Sequence, residues 1–317
     1  MHSKKTTIHK QALSCTALLV SLACAPAAAE ISLGGNVELD TTFQQNAGGA
    51  DGENYSQGGR VQLNASGTQT VGDATLAGKG TINLTKDGGT GIDDVWFSLG
   101  RGKWSLKFGR FEGIETFSKG TDTILNVLGT ATNYQGSAVR GRSGADYGQI
   151  ALDVAANDRV SFQLGTFWGE TSGNDENAIS GFRPAITAIV TDDLNVSASY
   201  ETLDIGGVET DGLGLYIRYA TDAFALKMNA ASGSTGDVDH TTFNVNIESG
   251  NIGLGYHSTE DEGGAADDSA STIYARYLFP NLMGSENTNA QLGASIASAD
   301  SAEEDETALR LRFFHTF

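Results

Sequence analysis

Alternation of apolar and polar residues, repeated through most of the chain, is the feature that most constrains the fold. In the last segment, Leu309, Leu311 and Phe313 alternate with Arg310 and Arg312. Successive side chains of a strand point to opposite faces of a sheet, so this spacing predicts a strand with one apolar face. Segments such as ISLGGNVELDTTF, RVSFQLGTFW and FNVNIES repeat the pattern. The chain therefore contains about 16 predicted strands, an even number.

The links between these segments alternate in length. Short links follow strands two, four, eight, ten and twelve, whereas longer and mostly acidic stretches are predicted after the odd-numbered strands, as in ETSGNDENAISG and TEDEGGAADDSAS. A longer link around Pro280 is the exception. Short turns at one end and long loops at the other are typical of an outer-membrane β-barrel.

A soluble β-sandwich or β-helix is the alternative that the local patterns leave open. The polar strand faces are rich in Arg, Lys, Asn and Gln, which cannot share one dry core. A closed sheet has no edges and turns one face to lipid and the other to water. At about 16 strands its lumen is wide enough for an aqueous channel. We therefore predict an all-β transmembrane antiparallel barrel, with the last strand pairing with the first near Ile31 and its arginines solvated in the lumen.

The N-terminus has the three-part pattern of a secretory signal. A lysine-rich start precedes a short apolar run and the stretch PAAA, which predicts cleavage after Ala29. We expect residues 1–29 to be a signal peptide and residues 30–317 to be the barrel domain. Both cysteines, Cys15 and Cys24, lie in the signal, so no disulfide or thiolate metal site is expected. The spacing of SLA before Cys24 disfavours a lipoprotein.

Charge and missing motifs exclude several function classes. The signal holds three lysines and no acid, so the net charge of −19 becomes −22 without it. This balance and the lack of a basic patch disfavour nucleic-acid binding. The remaining histidines, His240, His257 and His315, do not have metal-ligand spacing, and nucleophile-elbow, metalloprotease and phosphate-loop motifs are absent from the sequence. We expect no enzymatic activity, no cofactor and no metal.

The stretch KFGRFEGIETFSKGTDTILNVLGTATNYQGSAVRGRSGADYG contains the most specific family signal. Gly109 and Arg110 end strand five, a long third loop continues to about Ser137, and Arg140 fits the start of strand six. A regular pleat would aim Arg110 outward, so a bulge at Gly109 or the end of the strand must release it. The chain resembles the trimeric general diffusion porins of Gram-negative outer membranes, in which the third loop folds into the barrel and narrows it.

The resemblance implies a constriction in which acids on the third loop face arginines on the wall. Asp122 in TDTILN corresponds to the first loop acid, and Asn126 stands where a second is expected. Arg60 on strand two and Arg140 on strand six correspond to wall arginines, whereas Asp94 on strand four replaces a basic residue. The predicted constriction residues are Arg60, Asp94, Arg110, Glu115, Asp122, Arg140 and Arg142.

These expectations favour an outer-membrane channel for passive diffusion of small hydrophilic solutes and ions, with a weak cation preference. The resemblance implies a homotrimer embedded in outer-membrane lipid and lipopolysaccharide. Two alternatives remain. A structural or receptor barrel would bind partners through its loops. An oligosaccharide-preferring porin would require a rail of lumenal aromatic rings, for which the candidates are Trp96, Phe111, Phe117, Tyr134 and Phe167.

Overall fold

The computed structural model describes residues 30–115, 128–142, 147–169, 178–263 and 267–317. These residues form sixteen antiparallel strands in one closed barrel, which confirms the predicted fold class. Each strand pairs with its neighbours in sequence, and β1 pairs with β16. The strands are β1 (Glu30–Gln45), β2 (Glu53–Val71), β3 (Ala74–Thr85), β4 (Thr90–Arg101), β5 (Trp104–Arg110), β6 (Gly148–Ala155), β7 (Val160–Gly169), β8 (Ile179–Ile189), β9 (Leu194–Ile205), β10 (Val208–Ala220), β11 (Ala225–Thr235), β12 (Val238–Ser249), β13 (Ile252–Glu262), β14 (Asp268–Phe279), β15 (Thr288–Ala299) and β16 (Glu306–Thr316). Short 3₁₀ segments lie at Ala47–Gly49 and Leu282–Gly284.

The two faces of the wall differ in the way the alternation predicts. On β14, Ile273 is 65% exposed, whereas its neighbours Thr272 and Tyr274 are 0% and 1% exposed. The outer face presents apolar side chains, and the inner face is largely polar. An apolar outer band against lipid and a polar interior define a membrane barrel.

The barrel closes by pairing of the last strand with the first, as predicted. Residues Asn36–Gln45 pair with Thr307–Thr316, whereas Ile31 is in register with β2. The predicted pairing of the last strand with the first strand, which begins near Ile31, is confirmed. Phe317 extends the contact, because its backbone exchanges hydrogen bonds of 2.9 and 3.0 Å with Gly35.

The arginines of β16 face the lumen, as predicted. They form ion pairs with acids of β1, whereas the sequence predicted that water would solvate them. Arg312 donates to both carboxylate oxygens of Asp40 at 2.7 Å and lies 3.3 Å from Glu38. Arg310 donates to the hydroxyl of Thr42 at 2.9 Å. The residues opposite these arginines on β1 therefore compensate their charge on the inner face.

Two predictions about the connections were wrong. The links after β9 and β11 are two-residue turns at 206–207 and 236–237, although longer loops were expected after odd-numbered strands. Strand six begins at Gly148, so Arg140 lies in the connection between β5 and β6 and not on the wall. That connection, residues 111–147, is the longest in the barrel.

Among the described residues, no helix is both long enough and apolar enough to cross a membrane.

Candidate pore constriction

The third loop begins where β5 ends at Arg110. Gly109 has a φ of 113°, a backbone conformation that side chains disfavour, and a Cβ there would collide with the carbonyl of Val95. The strand stops one residue later, and Arg110 Nε donates to the carbonyl oxygen of Asp93 at 2.9 Å. Arg110 is the last residue of β5 and is still in register with Val95, next to the distorted backbone of Gly109.

Gln149, a buried residue of β6, holds the two ends of the loop together. Its side-chain nitrogen donates to the carbonyl oxygens of Phe111 at 2.9 Å and Gly141 at 3.0 Å. Its side-chain oxygen accepts the backbone N–H of Phe111 at 3.1 Å. One amide side chain therefore satisfies backbone groups from both ends of a long insertion.

The second half of the loop, residues 128–142, is called the return segment. Its first residues hydrogen-bond to carboxylates on the inner face of β13 and β14. Asp268 accepts the backbone N–H of Ala131 at 3.1 Å, and Asp261 accepts that of Thr132 at 2.7 Å. Both aspartates are buried. Bonds from backbone amides to carboxylates are charge-assisted and therefore stronger than neutral ones.

A buried glutamate on β9 makes the densest contact with the return segment. Glu201 accepts the hydroxyl of Tyr134 at 2.8 Å and the backbone N–H groups of Ala138 at 2.8 Å and Val139 at 2.9 Å. Burial and the charge of Glu201 raise the pKa of Tyr134, which keeps the hydroxyl protonated as a donor. Buried Arg183 donates to the loop from β8. We call Glu201, Arg183, Tyr134 and Val139 the Glu201 anchor.

The ring of Tyr134 packs against two glycines of the wall, Gly212 and Gly233. A Cβ at Gly212 or Gly233 would collide with the Tyr134 side chain. The ring of His240 stacks beside it at 6.0 Å, and His240 Nδ1 lies 2.7 Å from Asp261. The glycines of β10 and β11 therefore let the loop approach the wall closely.

A charged cluster surrounds the other end of the return segment. Arg142 Nε lies 3.0 Å from Asp93 and 2.8 Å from Asp94, and its Nη1 lies 2.9 Å from Glu112. Burial alone would lower the pKa of Arg142, but the hydrogen bond with Asp94 and the three carboxylates raise it. Arg142 therefore stays cationic.

Further charges extend this cluster. Arg140 Nη2 lies 3.4 Å from Glu112 and 3.8 Å from Glu115. Lys79 Nζ lies 2.7 Å from Asp94. The two acids on β4 belong to the wall and the two arginines to the loop, whereas Glu112 and Glu115 are loop acids and Lys79 is a cation of β3. Both the wall and the loop therefore contribute charges of both signs, whereas the resemblance implied acids on the loop and arginines on the wall.

Aromatic residues lie beside the cluster. Lys107 Nζ is 5.1 Å from the ring centroids of both Trp96 and Phe111. Such a cation is attracted to the ring faces. Trp104 and Trp168 are exposed on the outer face.

The structure brings most of the predicted constriction residues together. Asp94, Glu115, Arg140 and Arg142 meet in one cluster, and Arg110 borders it through Asp93. Arg60 does not join it. Arg60 lies on β2, in register with Glu38 and Thr85, and takes part in none of the ion pairs given above. Asp122 and Asn126 lie outside the described residues.

Sequence reasoning missed several residues that hold the loop. Asp93 was assigned no role, because the alternation set by Trp96 and Phe97 turns it outward. Glu201 and Gln149 look like ordinary lumenal polar residues. In the sequence, Glu201 is distinguished only because it is an acid among serines on its face of β9. Among the described residues, no group of three or more His, Cys, Asp or Glu side chains is arranged to hold a metal ion.

Comparison with known proteins identifies the family. A family model described as Gram-negative porin matches residues 14–301. A mutant of the porin from Rhodopseudomonas blastica is 18% identical, with a TM-score of 0.66, 91% of this chain covered and 100% of the other. The loop L8 deletion mutant of OmpT, an outer-membrane protein of Vibrio cholerae, is 13% identical, with a TM-score of 0.69 and coverages of 92% and 100%. At these identities the solved structures show a shared fold. No curated protein matches the sequence.

The family match and the closed barrel together show that the chain belongs to the Gram-negative porins, channel proteins of the outer membrane without enzymatic activity.

Proposed function

We propose that this porin passes small hydrophilic solutes and ions by passive diffusion through a water-filled lumen narrowed by the third loop. The observation that carries the proposal is the docking of the return segment. Its backbone amides hydrogen-bond to three carboxylates on the inner face of the wall, Asp268, Asp261 and Glu201. A loop held from within the barrel reduces the cross-section that a solute meets.

The charged cluster is the proposed constriction. It combines wall carboxylates with loop arginines at the point where the loop leaves and rejoins the sheet. The proposed constriction residues are Arg60, Asp94, Arg110, Glu115, Asp122, Arg140 and Arg142 from the sequence, together with Asp93 and Glu112.

A weak cation preference is part of the proposal. Four carboxylates, from Asp93, Asp94, Glu112 and Glu115, lie in the cluster. Five cationic side chains lie in it or beside it, from Lys79, Lys107, Arg110, Arg140 and Arg142. Because these charges nearly cancel, the net charge of −22 that remains without the proposed signal tips the balance toward cations. Salt screens the more distant acids, so the preference should grow as salt falls.

An oligosaccharide-preferring channel has less support. Phe111, Tyr134 and Phe167 are buried and offer little ring surface to a solute. The ring of Trp96 is covered by Lys107, and Phe117 lies outside the described residues. The four described candidates therefore do not form a stacking rail.

Export and assembly follow the family resemblance. We propose that residues 1–29 are removed as a signal peptide and that residues 30–317 assemble as a homotrimer in outer-membrane lipid and lipopolysaccharide. The apolar outer face of the barrel supports the membrane part of this proposal.

Single-channel recording in planar bilayers tests the proposed function. The protein should give a large, steady conductance, and deleting residues 121–130 should raise both the conductance and the size limit for polyethylene glycols. Deletion of residues 172–176, from the loop between β7 and β8, is the matched control and should leave the size limit unchanged. A protein that does not conduct, or an intact deletion variant with the original size limit, would contradict the proposal.

A further inference from the structure

The strand β4 contains one extra residue where it pairs with β3. Ile92 is in register with Ile82 and Val95 with Gly80, so two residues of β4 lie opposite the single residue Thr81. This arrangement is a β-bulge, which reorients the side chains of the bulged strand. The two residues are Asp93 and Asp94, and we call them the acidic bulge.

The bulge turns adjacent side chains to the same face. Ile92 and Val95, which flank it, are 62% and 51% exposed on the outer face. In a regular strand one of the two aspartates would also point outward, because the side-chain period is two. Both instead contact Arg142, at 3.0 Å from Asp93 and 2.8 Å from Asp94.

The surroundings of Asp93 confirm its inward direction. Its carboxylate accepts a hydrogen bond of 3.2 Å from Gln62, which also donates to Asn83 on β3. Its side chain keeps 21% exposure, and that of Arg142 keeps 23%. The carboxylate therefore lies on the inner face and is still accessible to water.

We propose that Asp93, placed on the inner face by the bulge, is a specificity-determining residue of the channel. Without it, three carboxylates would oppose the five cationic side chains in or beside the cluster, and the charge of Arg142 would be less compensated. Asp93 therefore holds the constriction away from anion preference and favours small inorganic and organic cations. This inference rests on the proposed constriction by the third loop.

Two variants remove this charge by different routes. Asp93→Asn keeps the bulge and the shape of the side chain. Deleting Asp93 removes the extra residue, which leaves Ile92 and Val95 facing outward and Asp94 facing inward in a regular ladder. Glu248→Gln is the matched control, because Glu248 is also an ion-paired lumenal acid, 2.8 Å from Lys227, but lies beside the 250–251 turn.

Reversal potentials under a KCl gradient at low salt measure the effect. Both Asp93 variants should lower the permeability ratio of K⁺ to Cl⁻ about fivefold, the factor that one carboxylate contributes to a cation roughly 4 Å away in water. The control should change the ratio by less than about twofold, because Glu248 pairs with Lys227 and Arg276 and with no charge of the cluster.

The outcomes separate this inference from the proposed function. If deletion of residues 121–130 raises the size limit but neither Asp93 variant lowers the ratio, the role of Asp93 is overturned and the constriction stands. A shift in only one Asp93 variant, or an equal shift in Glu248→Gln, also overturns it, since a local charge effect must appear in both variants and not in the control.

Discussion

The acidic bulge and the Glu201 anchor both hold the third loop against the wall, but they differ in exposure to water. The side chains of Asp93 and Arg142 are 21% and 23% exposed. Glu201 and Arg183, in contrast, are 0% and 1% exposed. The loop is thus fixed to the wall by a hydrated ion-pair cluster on one side and by a dry hydrogen-bonded carboxylate on the other.

This difference in exposure predicts different roles for the two regions, ion selectivity for the acidic bulge and loop position for the Glu201 anchor. A hydrated ion pair adds little to stability, because solvent screens it, but its charges act on passing ions. A buried carboxylate with several donors is costly to disrupt, because its loss leaves the donors unsatisfied. We therefore expect changes at the acidic bulge to alter ion selectivity, and changes at the Glu201 anchor to alter loop position and stability.

The largest effect is expected for Glu201→Ala. It removes the acceptor of three loop donors and leaves Arg183 buried without this carboxylate, which should cost about 3–5 kcal/mol. The polyethylene glycol size limit should rise and the heat resistance of the barrel should fall, with ion selectivity nearly unchanged.

Ser197→Ala on the same strand is the control for this variant. Ser197 is a buried inner-face residue that bonds to Thr187 at 2.8 Å. If the control raises the size limit as much as Glu201→Ala does, general weakening of β9 explains the effect and the anchor has no specific role.

A smaller effect of the same kind is expected for Tyr134→Phe. The ring still packs against Gly212 and Gly233. Only the hydrogen bond from the hydroxyl to Glu201 is lost, and that bond contributes about 1.5 kcal/mol. Open-channel noise should increase, because the loop is held less firmly. Tyr200→Phe, on the outer face next to Glu201, should leave the noise unchanged. Equal noise in both variants would show that the Tyr134 hydroxyl does not restrain the loop.

The smallest effect on the fold is expected for Arg142→Gln. It leaves Asp93, Asp94 and Glu112 with one cation fewer, so the permeability ratio of K⁺ to Cl⁻ should rise about fivefold at low salt. Heat resistance should stay close to that of the wild type. Arg101→Gln, which breaks a surface pair with Asp73, should change neither property. A large loss of heat resistance without a change in selectivity would reverse the roles of the two regions.

Much of the fold could be predicted because it rests on local alternation. Because side chains alternate with a period of two, the sequence shows that Leu309 and Arg310 lie on opposite faces of their strand. A sheet in lipid must close, because an open edge would leave backbone groups without hydrogen bonds. The register in which Asn36–Gln45 pair with Thr307–Thr316 was not predicted, because it depends on both strands at once. The two-residue turns after β9 and β11 were also missed.

The candidate site was predicted only in part. Asp94, Arg140 and Arg142 were identified as charges near the third loop, and the structure brings them together. The placement of Arg140 on the wall was wrong, since loop residues have no periodicity that shows where a strand starts. Glu201 could not be recognised, because its partners lie 62 to 67 residues away in the sequence.

The sequence by itself determined that the chain is a barrel with an apolar outer face, a polar lumen and a long third loop. Only the tertiary structure decided which acids face that lumen and what holds the loop. One extra residue in β4 reverses the alternation and brings Asp93 beside Asp94, and this depends on pairing with β3. Burial decided the role of Glu201, because a carboxylate becomes an anchor only where the fold excludes water and supplies donors.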